Sequence, residues 1–383
     1  MTTRRTTSKL RARMTIASGI AAGILIASAG CASTPSVAPS STPEAESLDD
    51  LIAAAQAEGS LTFYGDGLES TLQAWVQGFT EEYGIAVNVL RMTGNELTQR
   101  FAQESALGQA QADILSSTDT VGVTDAVEAG WIAEYTPANA DLFPAERGMP
   151  GYFYPVQNGF FQAVAYNPTL LTEEEIEIIR EDPIRAAGDP RFAERVAVGA
   201  PQASQQATAF HYLYTDGPAA DDYGWEALEA IAANDPLVFV QTVTMMQNLI
   251  AGEYAIAVGL AGGVASTQAM QGAPVEFVYP EQTTGGYFAT GVVANAPHLN
   301  AARLFMEWAT TPKANALYSS ISQSAPTNRD VDDERELLEF EWYADPNVDE
   351  VWIDFITDPQ FLEAASAEGD FLDRWNEVFE FSG

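Results

Sequence analysis

The sequence predicts an α/β fold in two lobes, and two observations carry that expectation. Residues 224–293 alternate helical and extended patterns, and strands separated by short helices imply a parallel sheet. The chain has 383 residues, about twice the usual length of one domain, so each lobe can bury a core of its own.

At the amino end, Arg4, Arg5, Lys9, Arg11 and Arg13 precede an apolar stretch over about 14–27, followed by Ser28, Ala29, Gly30 and Cys31. That is the layout of an export signal over residues 1–31, with an apolar part too short for a comfortable membrane span. Thr6, Thr7 and Ser8 lack the apolar character of a twin-arginine signal, so Arg4-Arg5 counts as ordinary basic charge. Cys31 is the only cysteine, so no intrachain disulfide can form. Residues 32–47 are dominated by Ala, Ser, Thr, Pro and Val and read as a flexible tether.

From there helix and strand patterns alternate. Helix 48–58 leads to strand 61–64 and the polar turn Gly65-Asp66-Gly67, then to helix 70–83 and strand 85–90. Helix 96–104 precedes strand 112–115, whose end carries Ser116, Ser117, Thr118 and Asp119. Hydroxyls there can bind a ligand or cap the next helix. Residues 152–167 are aromatic and extended, 172–181 form a charged helix, and strand 196–200 runs into Gln202, Ser204, Gln205, Gln206 and Thr208.

Trp225, Leu228, Ile231 and Ala232 repeat at helical spacing until Asn234, Asp235 and Pro236 stop them. Strand 237–240 follows, then a helix capped by Thr242 or Thr244 and ended by Gly252, with Val243, Met246, Leu249 and Ile250 on one face. Strand 254–260, the turn Ala261-Gly262-Gly263, a brief helix and strand 275–279 complete the run. Residues 286–295 are extended, 301–309 and 312–319 are helical, and Phe371, Trp375, Val378 and Phe379 are spaced to dock a last helix. No internal repeat is evident.

Lysine and arginine total 17 against 54 acidic residues, a net charge of −37. A polyanion of this kind does not suit nucleic acid or an anionic membrane. Lysine-poor, carboxylate-rich surfaces suit a salty medium, and the negative field also favours cationic solutes. Only His211 and His298 are present, and their placement, with Cys31 at the far end, gives no zinc pattern. No phosphate loop or dinucleotide fingerprint occurs, and Gly65-Asp66-Gly67 reads as a turn, with ligand approach as the alternative. No compact catalytic constellation emerges, so an enzyme is not expected.

In open parallel sheets ligands sit beyond the carboxyl ends of strands, here Gln241-Thr242, residues 260–263 and Tyr279. The ordered phrases Gly224-Trp225, 232–236, Ala251-Gly252-Glu253 and 272–280 resemble the carboxyl half of the extracellular solute-binding proteins of ABC importers. The similar branch is that of the ferric-iron and phosphonate receptors, and the resemblance covers 48–383. It implies a two-lobe type II periplasmic-binding-protein fold with hinge crossing strands near 152–167 and 286–295. The implied division is a first lobe over 48–157, a second over 158–285, a return over 286–330 and a helical tail over 331–383.

The resemblance also implies a monomeric receptor that closes around a small solute and delivers it to a membrane permease. Ser28-Ala29-Gly30-Cys31 resembles a lipobox, with Ser28 where an aliphatic residue is usual. It implies a lipid anchor on Cys31 at the outer face of the cytoplasmic membrane. The implied ligand residues are Tyr64, Gly65, Asp66, Ser116, Thr118, Gln202, Ser204, Thr244, Gly262 and Tyr287. Iron receptors of the branch present adjacent tyrosines where this chain has Ala261-Gly262-Gly263. Ferric iron would therefore need Tyr64, Tyr166, Tyr287 or the abundant acids. The alternative is a polar organic or phosphorylated solute held by helix-terminal amides, Gln202, Ser204 and Thr244, with Tyr64 or Tyr287 as an aromatic wall. No cofactor is expected beyond the transported ligand. A secreted enzyme using the cleft, or a sensory lipoprotein without transport, are the rival readings.

Overall fold

Two five-stranded sheets organise the molecule. In this computed structural model residues 47–158, 161–345, 351–366 and 369–382 are described. The expected export signal, Cys31 and almost all of the expected tether lie outside them.

The strands are β1 (Ser60–Gly65), β2 (Ala86–Arg91), β3 (Ile114–Ser117), β4 (Tyr154–Gln157), β5 (Gln162–Tyr166), β6 (Val196–Gly199), β7 (Leu237–Phe239), β8 (Ile256–Ala261), β9 (Glu276–Val278) and β10 (Phe288–Val292). The first lobe holds the order β2-β1-β3-β10-β4 and the second β7-β6-β8-β5-β9. Between successive strands the chain thus passes from lobe to lobe twice, after β4 and after β9.

The expectation of a parallel sheet holds for β7, β8 and β9, which share one direction, and is corrected for the sheets as wholes, each of which takes in one antiparallel strand. β1, β2 and β3 run parallel, as do β6, β7 and β8. β10 lies antiparallel between β3 and β4, and β5 lies antiparallel between β8 and β9. The physical reason is the crossing itself, since each strand that arrives from the other lobe enters its new sheet against the prevailing direction.

Helices cover the sheets. They are α1 (Leu48–Glu58), α2 (Glu69–Tyr83), α3 (Gly94–Ala106), α4 (Thr120–Glu128), α5 (Glu173–Glu181), α6 (Pro183–Ala187), α7 (Gln205–Thr215), α8 (Gly224–Ala232), α9 (Thr242–Ala251), α10 (Gly262–Met270), α11 (Leu299–Ala309) and α12 (Pro312–Ser322). Local chemistry sets many of their ends. Thr172 and Glu175 form a reciprocal capping box on α5, and Asp119 caps α4 through Gly122 N. Neither Thr242 nor Thr244 caps α9. Gln241 stands there without a side-chain bond, and Gly252 ends the helix at φ 84°, a left-handed conformation that glycine adopts without strain.

A second correction concerns β3. Its strand begins at Ile114, two residues later than the apolar pattern suggests, and includes Ser116 and Ser117. Asp113, just before it, is held by Thr62 N and by His298 N and Nδ1. The two serines are consequently buried within the sheet instead of lying beyond its end.

In the first lobe, Leu72, Trp75, Val76 and Phe79 share the inner face of α2. Trp75 is fully buried against the rings of Phe63, Phe305, Trp308 and Tyr318, and its indole N–H donates to Ala314 O at 2.9 Å. In the second lobe, Val198, Phe210, Leu213 and Trp225 form part of the main core. The carboxyl-terminal tail lies against this lobe. Leu337, Phe340, Trp342 and Tyr343 join the cluster around Phe277, while Phe361, Phe371 and Trp375, on the helices Pro359–Ala364 and Phe371–Val378, join that around Tyr212. Among the described residues no helix is long and apolar enough to cross a membrane.

Trp75→Ala removes the ring shared by these partners and leaves the carbonyl of Ala314 without its donor. Urea unfolding is expected to show a loss of about 3–5 kcal/mol, and a loss below about 1 kcal/mol would contradict this packing.

Candidate functional site

Where the lobes face each other, two connected chambers open between α3 and α4 on one side and the start of α7 on the other. The inner chamber, ≈ 60 Å³, is lined by Thr93, Gly94, Asn95, Thr118 and Asp119 of the first lobe and by residues 203–206 of the second. The outer one, ≈ 720 Å³, shares Thr93, Asn95, Asp119, Ala203, Ser204 and Gln205 with it. Beyond them it is walled by Phe101 and Trp131 and, across the gap, by Leu362 and Leu372 of the tail. Its volume lies within the roughly 300–1,000 Å³ typical of small-molecule clefts.

Asp66 sits beside the inner chamber. Its Oδ2 accepts from Ser117 Oγ at 2.9 Å, Thr118 N at 2.9 Å and Thr118 Oγ1 at 3.0 Å. A Cβ at Gly94 would come within 2.9 Å of that same oxygen, so the bare backbone at 94 leaves it room. Oδ1 is buried and without a hydrogen bond. Burial pushes the carboxyl up from 3.8 to about 6, against the lowering effect of the three donors and with a further push from Asp119. Across the gap, Ser204 Oγ accepts from Ala207 N at 3.1 Å and caps α7, which directs Gln205 and Gln206 inward.

The residues expected at the site divide clearly. Thr118 and Ser204 come together here, Asp66 lies behind them bonded to Thr118, and Gln202 lines the outer chamber with its Nε2 bonded to Asn376 Oδ1 at 2.7 Å. Tyr64 does not form an aromatic wall. It is 1% exposed, packed around Phe101 and Leu115, and its hydroxyl donates to Glu104. Burial, with that carboxylate's help, raises this phenol to about 12.

Gly65 is a packing position, since a Cβ would strike Phe63 and Leu72. Ser116 Oγ bonds Gln157 Oε1 at 2.7 Å and Thr290 Oγ1 at 2.8 Å inside the sheet. Thr244 is exposed on α9, outside both chambers. Gly262 N donates to Phe161 O at 2.9 Å, and a side chain there would strike Tyr279. Tyr287 belongs to a separate recess of ≈ 120 Å³ with Arg147 and Trp352. There the Arg147 guanidinium bonds its hydroxyl and lies 5.1 Å from the centre of its ring.

Sequence reasoning missed Thr93, Gly94 and Asn95, whose only signal is a helix-start pattern, and the contribution of Leu362 and Leu372. His211 is a satisfied core residue: its ring bonds Gly199 O at 2.7 Å, and burial pushes its pKa down to about 4.

Residues 65–316, more than half of the chain, match the family described as bacterial extracellular solute-binding protein. The chain belongs to that family. None of the curated protein sequences compared with the chain matches it. Among solved structures, iron-bound HitA from Pseudomonas aeruginosa is similar at 16% identity and TM-score 0.61, over 84% of this chain and 98% of that one. AfuA from Actinobacillus pleuropneumoniae, with fructose-6-phosphate bound, gives 19% identity and TM-score 0.63 over 85% and 99%. A ferric binding protein from Campylobacter jejuni gives 16% and 0.60 over 84% and 98%. The fold is that of the type II periplasmic binding proteins, with two lobes. This solute-binding protein is a substrate-binding receptor of an ABC import system, an exported protein that meets a permease.

Because the folded Asp66 keeps its proton to higher pH than the unfolded chain does, its contribution to stability is present below about pH 4 and is lost as pH rises to about 6. Asp66→Asn should therefore gain on wild type across that window, by up to about 3 kcal/mol in the ligand-free protein. Urea midpoints at pH 4 and pH 7 read the difference, and parallel shifts in the two proteins would show that Asp66 is not desolvated.

Proposed function

We propose that this receptor takes a small polar organic solute into the chamber between its lobes, closes on it and passes it intact to the permease. The observation that carries the reading is that Thr118 and Asp119 of one lobe and residues 204–206 of the other line the same chamber. A solute touching both favours the closed arrangement through its differential affinity, and only a closed receptor presents both lobe surfaces together.

Ferric iron is the less favoured cargo. The tyrosines available to it are separated: Tyr64 bonds Glu104, Tyr166 bonds Glu276 and Arg180, and Tyr287 bonds Arg147. Among the described residues, no group of three or more His, Cys, Asp or Glu is arranged to hold a metal ion.

Native mass spectrometry of gently purified protein should show one organic solute per chain. Ala203→Trp, which fills the junction of the two chambers, should remove that mass while the folded charge distribution persists. A solute retained by the variant would place the site elsewhere, a chemically altered solute on release would favour an enzyme, and unimpaired uptake after deletion would favour a sensor.

Anchoring through Cys31 is part of the same proposal and rests on the Ser28-Ala29-Gly30-Cys31 sequence. Wild type should sediment with membranes and carry a lipid mass on its first residue, whereas Cys31→Ser should be recovered free of them. Equal partition of the two proteins would remove the anchor.

A further inference from the structure

The hydrogen-bonding groups around the inner chamber are unbalanced in a way that bears on the charge of the solute. A phosphate or carboxylate would need donors, and the helix starts are where a fold usually supplies them. Here the chain's own oxygens already take many of those donors. Thr118 N, Thr118 Oγ1 and Ser117 Oγ all converge on Asp66 Oδ2. Gly122 N in the first turn of α4 donates to Asp119 Oδ1 at 3.1 Å, and Ala207 N in the first turn of α7 donates to Ser204 Oγ at 3.1 Å.

Among the buried side-chain atoms here, those left unpaired are acceptors: Asp66 Oδ1, Gln205 Oε1 and Gln206 Oε1. A carboxamide can turn to offer its other end, but an ionised carboxylate only accepts. Asp119 lines both chambers and Asp125 the outer one, and among the described residues no arginine, lysine or histidine lines either chamber. The field of a chain with net charge −37 has the same sign.

We propose that the solute is an organic cation. Its protonated amine or guanidinium group occupies the inner chamber beside the side chains of Gln205 and Gln206, with the Asp66 carboxylate behind Thr118 supplying the counter-charge. Its remaining bulk fills the outer chamber between Phe101 and Trp131 on one side and Leu362 and Leu372 on the other. Gly94 matters to this arrangement because no side chain there crowds the carboxylate. The inference rests on the reading of these chambers as the solute site and adds the charge of what enters them. It also explains why Asp66 is kept desolvated, since a cation supplies the counter-charge that the empty site lacks.

Thermal-shift and calorimetric titration of the full chain test it. The cationic probes are a set of primary amines, polyamines, quaternary ammonium compounds and guanidinium compounds. They are set against inorganic phosphate, fructose 6-phosphate, fructose and ferric citrate. At least one cation should raise the unfolding midpoint and bind, with affinity falling as pH drops below about 6, where Asp66 takes up its proton.

Asp66→Asn should weaken that binding about tenfold or more. Should Asp66→Asn fail to fold, Gln205→Glu decides the matter: it adds a carboxylate at the same chamber, where the α7 start tolerates it, and should tighten the same cation. Failure of every cation to bind overturns the proposal, as does a cation whose affinity neither variant alters. Binding of phosphate, fructose 6-phosphate, fructose or ferric citrate in place of any cation, abolished by Ala203→Trp, overturns the charge assignment and leaves the receptor reading intact. A bound solute indifferent to Ala203→Trp removes the reading on which both rest.

Discussion

The main-chain bonds of β5 and β10 are the constraint on which the rest of this architecture depends. β10 pairs with β3 on one side and β4 on the other, and β5 pairs with β8 and β9 in the same way. Both strands are interior, so every backbone donor and acceptor they present needs a partner within the sheet. Each sheet is therefore completed by a strand that has just crossed from the other lobe. The Ser116–Gln157–Thr290 hydroxyl and amide cluster fastens β3, β4 and β10 together where the first crossing leaves. Two sheets joined through such narrow crossings have relative hinge rotation as their cheapest motion, and the ends of β1 and β3 are left facing the start of α7 across a gap.

That gap is stocked against stability. Asp66 is desolvated, has an unpaired oxygen and stands near a second carboxylate, a combination that a residue selected for folding alone would avoid. The three donors on its other oxygen hold it in place without neutralising it. Local rules broken in this way, inside a cleft shared by two lobes, mark a place where the missing partner arrives from outside.

The carboxyl-terminal tail completes the outer wall of the same cleft. Its aromatic side chains pack on the second lobe, with Trp375 stacked on Phe379 at 4.4 Å and Phe371 against Tyr212. That packing brings Leu362 and Leu372 into position beside the α3–α4 side. Another part of the tail, around Trp352, pairs with Thr283 on the return crossing and lies under the Arg147 guanidinium of the first lobe at 5.0 Å. Tail, hinge and both lobes are thereby in direct contact around the cleft.

Periodicity, turn residues and caps are local properties, and they make the α/β class and most helices legible in the sequence, as with Trp225, Leu228 and Ile231 on α8 or Gly252 at the end of α9, but not α6 or α7. Its ordered phrases also carried the likeness to solute-binding proteins. What it left open was which polar residues would meet. A hydroxyl at a strand's end looks the same whether it faces a cleft, as Thr118 does, or is spent inside a sheet, as Ser116 is. A tyrosine such as Tyr64 reads equally as wall or as core. The direction of β5 and β10, the meeting of Thr118 and Asp119 with residues 204–206 and the tail's share of the cleft come only from the tertiary structure. These depend on contacts between segments far apart in the chain, which no local pattern encodes.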